Sequence, residues 1–440
     1  MASALRSRAR GRTEDSSQPL TTRVAEGTTS RARSVTLQLR PYVGRFGATR
    51  LRRLVLIEVA AALLLTAWVV DPLLIPPTAL VAAVLVLLTV VRLHRRPWPE
   101  WLVAAWGLRA RRRLAARLSV APGTEPAFAP AVECDPALRT YAYSTQDRRQ
   151  FGLIGDGTFV TAVLQIESDS TPLRAGRGQR PLPLGLVRDS LEVDDIRLES
   201  AQIVLHTQPA PALHLPRQSV AVSNYAPLQA QAGAPAVRIT WIALKLDPEL
   251  CPEAVAARGG GLVGAQRCVV RAVDQLASRL AGAGFRATAL SEEGLASAIA
   301  TSACANPLVT AEPGRAEEPQ RRTEETPNAW RCDNRRHTSY WVRRWPRLGG
   351  TGDSSLPQLV STLTAVPTLA TTFSLTLGRT ERQEVALRGH VRVTGRSEVE
   401  LAAARDAVEQ AARQVGTALM RLDREQLPGM LATLPLGGTR

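Results

Sequence analysis

The side chains best suited to chemistry in this 440-residue chain stand at a handful of places. Cys332, Asp333 and His337 bring a thiol, a carboxylate and an imidazole close together, types that bind zinc, but a structural zinc site needs a second ligand pair and none follows. Gly259-Gly260-Gly261 with Gly264 could turn backbone N–H groups toward a phosphate. A phosphate loop also needs Lys-Ser/Thr after its glycines and a strand before them, whereas Gln266 and Arg267 follow here and a helix precedes. Glu192-x-Asp194 imitates the acidic pair that holds a metal in nucleotide-sugar transferases, yet no Asp-x-Asp occurs. Gly352-Asp353-Ser354 sets a serine beside an acid without a Gly-x-Ser-x-Gly elbow. The five cysteines, Cys134, Cys251, Cys268, Cys304 and Cys332, are widely spaced with no CxxC, as expected of reduced thiols rather than a disulfide framework. Each of these groups reads as ordinary structure, so no catalytic residue, metal or cofactor is expected.

The charge has a place instead. Of 55 basic residues only Lys245 is lysine, and the formal net charge is +16. Residues 1–53 carry 12 Arg against 3 acids, 54–91 carry only Glu58 and Asp71, and 92–120 carry 8 Arg against Glu100. The surplus crowds around an apolar stretch and leaves the rest of the chain almost balanced. A nucleic-acid module would hold its basic patch on the folded domain; basic residues flanking apolar spans are the cytoplasmic mark of membrane proteins. Nucleic acid is therefore not an expected partner.

The apolar stretch divides into two spans within 54–93, Leu54–Val70 and Leu73–Leu93. Asp71 and Pro72 end the first, and Pro76-Pro77 opens the second, where a proline's missing N–H has no helical partner to lose. Arg45, Arg50, Arg52 and Arg53 precede the hairpin and Arg92, Arg95 and Arg96 follow it, while the turn has no basic residue, so both termini are expected on the cytoplasmic side of the plasma membrane. Glu58 lies about one turn inside the first span; it either reaches the interface toward Arg52 and Arg53 or meets a partner helix. The juxtamembrane segment 94–120 carries Trp98, Trp101 and Trp106, suited to the interfacial belt, and Arg109, Arg111, Arg112 and Arg113, spread around most of a helical wheel. These residues are candidates for contact with lipid head groups or with an acidic partner, and the pattern leaves both open.

These parts need elements to position them. The tail 1–53 is read as disordered and 121–440 as one cytosolic α/β domain, a mixed sheet with flanking helices, because strand and helix signals alternate along it. The signals include a hairpin at 148–167 around Gly155-Asp156-Gly157, strands at 196–206, 237–246, 285–290, 337–345, 370–377 and 382–394, and a helix from Gly261 to Ala281. Segments 208–235 and 307–328 read as loops, the second splitting the domain into halves. Ser397 with Glu400 signals a capped helix whose Leu401, Val408, Val415 and Leu422 recur every seven residues and pack on the sheet.

This order of parts, with VRITWIALKLDPE at 237–249 and LDREQLPGMLATLPLGG at 422–438, resembles EccE, the membrane component of the actinobacterial type VII (ESX) secretion machinery. The resemblance runs from about Pro41 to the C-terminus and rests on order and segment character. It implies a non-enzymatic structural subunit of the export complex, with EccB, the ATPase EccC, the multi-spanning EccD and a membrane-anchored subtilisin-like mycosin protease as partners beside membrane lipids. It also implies a glycosyltransferase-like cytosolic fold without its chemistry, and offers no catalytic residue to carry over. The alternative is a membrane-tethered glycosyltransferase-like enzyme acting on a nucleotide-activated or lipid-linked substrate, which would bind nucleotide or nucleotide-sugar saturably.

Overall fold

The computed structural model describes residues 43–70, 75–90, 92–93, 96–118, 124–168, 181–208, 220, 237–310, 321–346, 355–379 and 384–438. The tail before Val43, most of the 208–235 segment and Gly352-Asp353-Ser354 lie outside them. Three helices come first: α1 Val43–Val70, α2 Ile75–Val90 and α3 Trp98–Arg117. Residues 43–53 are thus the opening turns of α1 rather than tail. A short helix, α4 Ala129–Cys134, leads into a twelve-stranded sheet.

The strands are β1 Arg139–Ser144, β2 Gln150–Gly155, β3 Val160–Ser168, β4 Ser200–Gln208, β5 Val237–Leu246, β6 Phe285–Ala289, β7 Thr323–Glu325, β8 Trp330–Cys332, β9 Arg335–Arg344, β10 Ala370–Arg379, β11 Val385–Gly395 and β12 Ala418–Arg421. Between them run α5 Leu184–Asp189, α6 Pro252–Ala257, α7 Gly261–Gly282, α8 Glu292–Ser302, α9 Leu356–Thr364, α10 Glu398–Gln414 and α11 Gln426–Leu431. Every pair in the sheet is antiparallel. This corrects the expected mixed sheet. Alternating strand and helix signals suggest parallel βαβ units, but here no helix links two neighbouring parallel strands, and the sequence neighbours β4 and β5, like β10 and β11, pair as hairpins.

The strand order β7-β8-β9-β11-β10-β4-β5-β3-β2-β1 reads the same from either end when each strand is matched with the one six places on, and β6 pairs with β3 as β12 pairs with β9. Registers agree as well. Val160 faces Leu246 and Ser200 faces Lys245 in the first half, as Arg336 faces Gly395 and Ala370 faces Thr394 in the second. The helices follow suit, with α5, α7 and α8 matched by α9, α10 and α11. The domain is therefore two topologically equal halves related by a pseudo-twofold axis that passes between the paired residues Val204 and Ser374 of β4 and β10. The split falls in the 307–328 segment, which is not all loop: its Thr323–Glu325 forms an edge strand.

Alternation along the strands feeds two cores. Leu164, Leu205 and Leu244 face α7, α10 and α9, through Val269, Val273, Leu276, Leu401, Val408 and Leu359. Val163, Val204 and Ala243 face the other way, toward α4, α8 and α11 through Val132, Leu295, Ile299 and Met430. Gly264 brings α6 and α7 into contact, since an added Cβ would sit 2.2 Å from the Val255 carbonyl oxygen; the glycine run is a helix–helix link. In α10 the Ser397 hydroxyl accepts from the Glu400 N–H as expected, and Leu401, Ala404 and Val408 pack on the sheet. The helix stops at Gln414, where Gly416 takes φ +66° and the chain turns into β12, so the seven-residue recurrence at Val415 and Leu422 is not helical.

Candidate membrane-proximal interface

Among the described residues no helix is both long and apolar enough to cross a membrane. The two full spans expected from the sequence are therefore not confirmed by these helices. The 16 residues of α2 rise about 24 Å, short of a hydrocarbon core of roughly 30 Å, and the apolar part of α1 begins only after Arg50, Arg52 and Arg53. The two helices are nevertheless unlike a soluble pair. Ala60, Ala67 and Ala82 are buried, Ala60 and Ala67 two turns apart on one face, while Ile57, Leu65, Trp68, Val70, Leu80 and Val81 stand exposed. Small residues at the contact and large apolar ones outside are the arrangement of helices that meet in lipid. Glu58 lies on the exposed surface of α1.

α3 is fastened to the α/β domain. Its face of Ala104, Ala105 and Leu108 is buried. On the next turn the Arg111 guanidinium donates to both oxygens of Glu325 at 2.8 and 2.9 Å and to the Arg424 carbonyl at 2.6 Å. Arg112 donates to the Glu325 carbonyl at 2.8 Å, and Arg424 lays its own guanidinium 4.5 Å from the centre of the Trp101 ring. Glu325 closes the knot by accepting from the Leu427 N–H at 2.9 Å. A bidentate arginine–carboxylate pair of this kind fixes direction as well as distance. Beside it the Glu133 carboxylate of α4 accepts from the backbone N–H groups of Arg322 and Thr323, while Arg321 donates to the carbonyls of Ala115 and Glu133. The edge strand β7 is thereby tied to both α3 and α4.

Of the sequence-derived candidates, the structure thus turns Arg111, Arg112 and Trp101 toward the domain and leaves Trp106, Arg109 and Arg113 exposed; Trp98 opens α3. Glu325, Arg424 and Glu133 were not singled out by sequence. Glu325 stands 214 residues from Arg111, and no local pattern points from one to the other.

Several of the remaining polar groups with chemical character are bonded inside the fold. Arg392 is fully buried, burial pushing its guanidinium down to about 10; it reaches the Met430 sulfur and the Ser302 carbonyl, and donates to Thr372 Oγ1 at 3.1 Å. It therefore ties α8 and α11, matched helices of the two halves, to the sheet centre. His206 bonds Thr372 Oγ1 at 2.9 Å and Gln208 at 3.0 Å, and His337 bonds Thr394 Oγ1 at 3.0 Å. Asp333 is held by Arg322 at 2.8 and 2.9 Å, and against the cost of burial that carboxylate keeps the guanidinium above the ordinary arginine range. No group of three metal-binding side chains converges among the described residues.

Three comparisons bear on identity. The solved structure of alkyldihydroxyacetonephosphate synthase is similar at 7% identity and a TM-score of 0.23, covering 59% of this chain and 40% of that one, so the chain spans well under half of that relative's length and the likeness carries no argument. No curated protein matches. Residues 234–342, from just before β5 through most of β9 and so across both halves, match the family described as "Putative type VII ESX secretion system translocon, EccE". Over residues 234–342 this match agrees with the resemblance to EccE read from the sequence.

Proposed function

We propose that the chain is a non-enzymatic structural subunit of a type VII (ESX) protein secretion complex in the plasma membrane, contributing to assembly or stability of the export machinery. The family match at 234–342 is the observation that carries this reading. In it α1 and α2 insert as a hairpin with both termini cytoplasmic, consistent with their exposed apolar surface and with the arginines on either side of 54–91. A helix as short as α2 is accommodated by local thinning of the bilayer. On this reading Glu58 and the exposed residues of α3 contact neighbouring subunits, the family's EccB, EccC, EccD and mycosin, or lipid.

The arrangement of the domain supports a structural role. Nucleotides bind open α/β sheets in the crevice beyond the carboxyl ends of parallel strands, and the described strands form no parallel pair. The polar groups of the sheet centre bond to one another and to α8 and α11. The reading is tested by deleting the gene in the native cell and assaying export by its type VII systems. Export should fall and return with the intact chain; unchanged export through every such system would overturn it.

A further inference from the structure

We infer that the outward stripe of α3 lies on an anionic phospholipid surface. The inference rests on the membrane-anchored reading and goes beyond it by naming the surface and its ligand. Docking explains why the sequence of α3 looks poorly amphipathic: Ala104, Ala105, Leu108 and Arg111 face the domain, and the guanidiniums of Arg111 and Arg112 are spent on Glu325 and a carbonyl. What is left on the opposite side is ordered. Val103, Trp106, Ala110, Arg113 and Arg117 recur at three- and four-residue spacing on one face, with Leu114 beside them and Arg109 at the margin, and all are exposed, Trp106 by 69% and Leu114 by 55%.

A stripe that mixes tryptophan and leucine with arginine suits the boundary between acyl chains and head groups, where the ring sits in the interface and the guanidiniums meet phosphate. Two observations choose lipid over an acidic protein. The helices that precede α3 in the chain, α1 and α2, expose large apolar side chains of their own, and α3 opens soon after α2 closes at Val90. The stripe also carries exposed large apolar side chains between its arginines, which an acidic protein surface would leave in contact with charge. The clasp on Glu325 then fixes the α/β domain to the membrane face by the other side of the same helix.

The test uses the full chain in lipid nanodiscs containing lipids brominated on the acyl chains, which quench nearby tryptophan fluorescence. Trp106→Phe should remove a measurable share of the quenching in discs rich in anionic phosphatidylglycerol, and that share should shrink in purely zwitterionic discs and in Arg113→Gln/Arg117→Gln. Trp68→Phe reports the hairpin separately. If Trp68 is quenched while Trp106→Phe changes nothing in anionic discs, the lipid-facing stripe is overturned and the anchor stands. If neither substitution changes the quenching, or the chain stays out of the discs, the anchored reading falls with it.

Discussion

Arg111 of the juxtamembrane helix and Glu325 of the edge strand β7 meet in a two-point ion pair, with the Glu325 carboxylate almost wholly shielded at 4% exposure and the Arg111 side chain at 26%. The pair joins the helix that follows the apolar hairpin to the edge strand of the sheet. Removing one partner of such a pair strands the other, at a cost of about 3 kcal/mol. Glu325→Gln should therefore lower the unfolding midpoint and speed tryptic cleavage among Arg109, Arg112 and Arg113 in the full-length protein. A double-mutant cycle with Arg111→Met should return a coupling energy above about 1 kcal/mol; additivity would show that the clasp does not bear the contact.

Arg392 offers a sharper contrast. Its guanidinium is buried between α8, α11 and the sheet, so Arg392→Ala opens a cavity and leaves Ser302 and Thr372 short of a donor, for a loss of about 3 kcal/mol or more. Arg392→Met fills most of that volume without a charge and should recover at least half of the loss. Denaturant unfolding of both variants decides it: equal losses would mean that the charge, not the volume, is what the site needs.

Acid should weaken the fold through its buried imidazoles. Burial, helped by the Arg392 charge, pushes His206 down to about 3, and the same causes hold His337 well below the ordinary histidine range. Both stay neutral in the fold while the unfolded chain takes up protons near pH 6.5, so their contribution is complete above that pH and is lost progressively as pH falls below it. The unfolding midpoint should be level between pH 7 and 8 and drop steadily toward pH 5, and His206→Gln should flatten part of that drop. A midpoint that is level down to pH 5 would show that the imidazoles are not buried as neutral groups.

Two glycines predict opposite signs. A Cβ on Gly152 would lie 2.5 Å from the Ser291 carbonyl, where β2 passes the start of α8, so Gly152→Ala should destabilise by at least about 2 kcal/mol. Gly185 lies within α5 with nothing inside 4 Å of its added Cβ, and Gly185→Ala should stabilise by roughly 0.5–1 kcal/mol. Thermal unfolding of the pair checks the close approach of β2 to α8.

Much of the secondary structure was legible because local pattern decides it. Val237–Leu246 is a continuous β-rich run and forms β5, the recurrence of Val269, Val273 and Leu276 places the buried face of α7, and Ser291 and Ser397 cap the helices that follow them. Pairing is another matter. That β4 lies against β10 depends on partners such as Gln202 and Ser374, 172 residues apart, and the matched positions of the two halves, Val204 and Ser374 or Val160 and Arg336, share no chemistry that would betray a repeat. The three residues of β7 are too few to show a period of two, so the strand that anchors α3 hid in a segment that reads as linker. α10 continued on paper past Gln414 because the apolar spacing runs on; Gly416 at positive φ is what ends it.

The most direct measurement of the central claim is affinity purification of the full-length chain from its native membrane in mild detergent, with mass spectrometry of what travels with it. A type VII subunit should come out in a large assembly containing a type VII ATPase and a multi-spanning channel protein. A clean monomer or homodimer, from cells shown to contain those proteins, would contradict the claim.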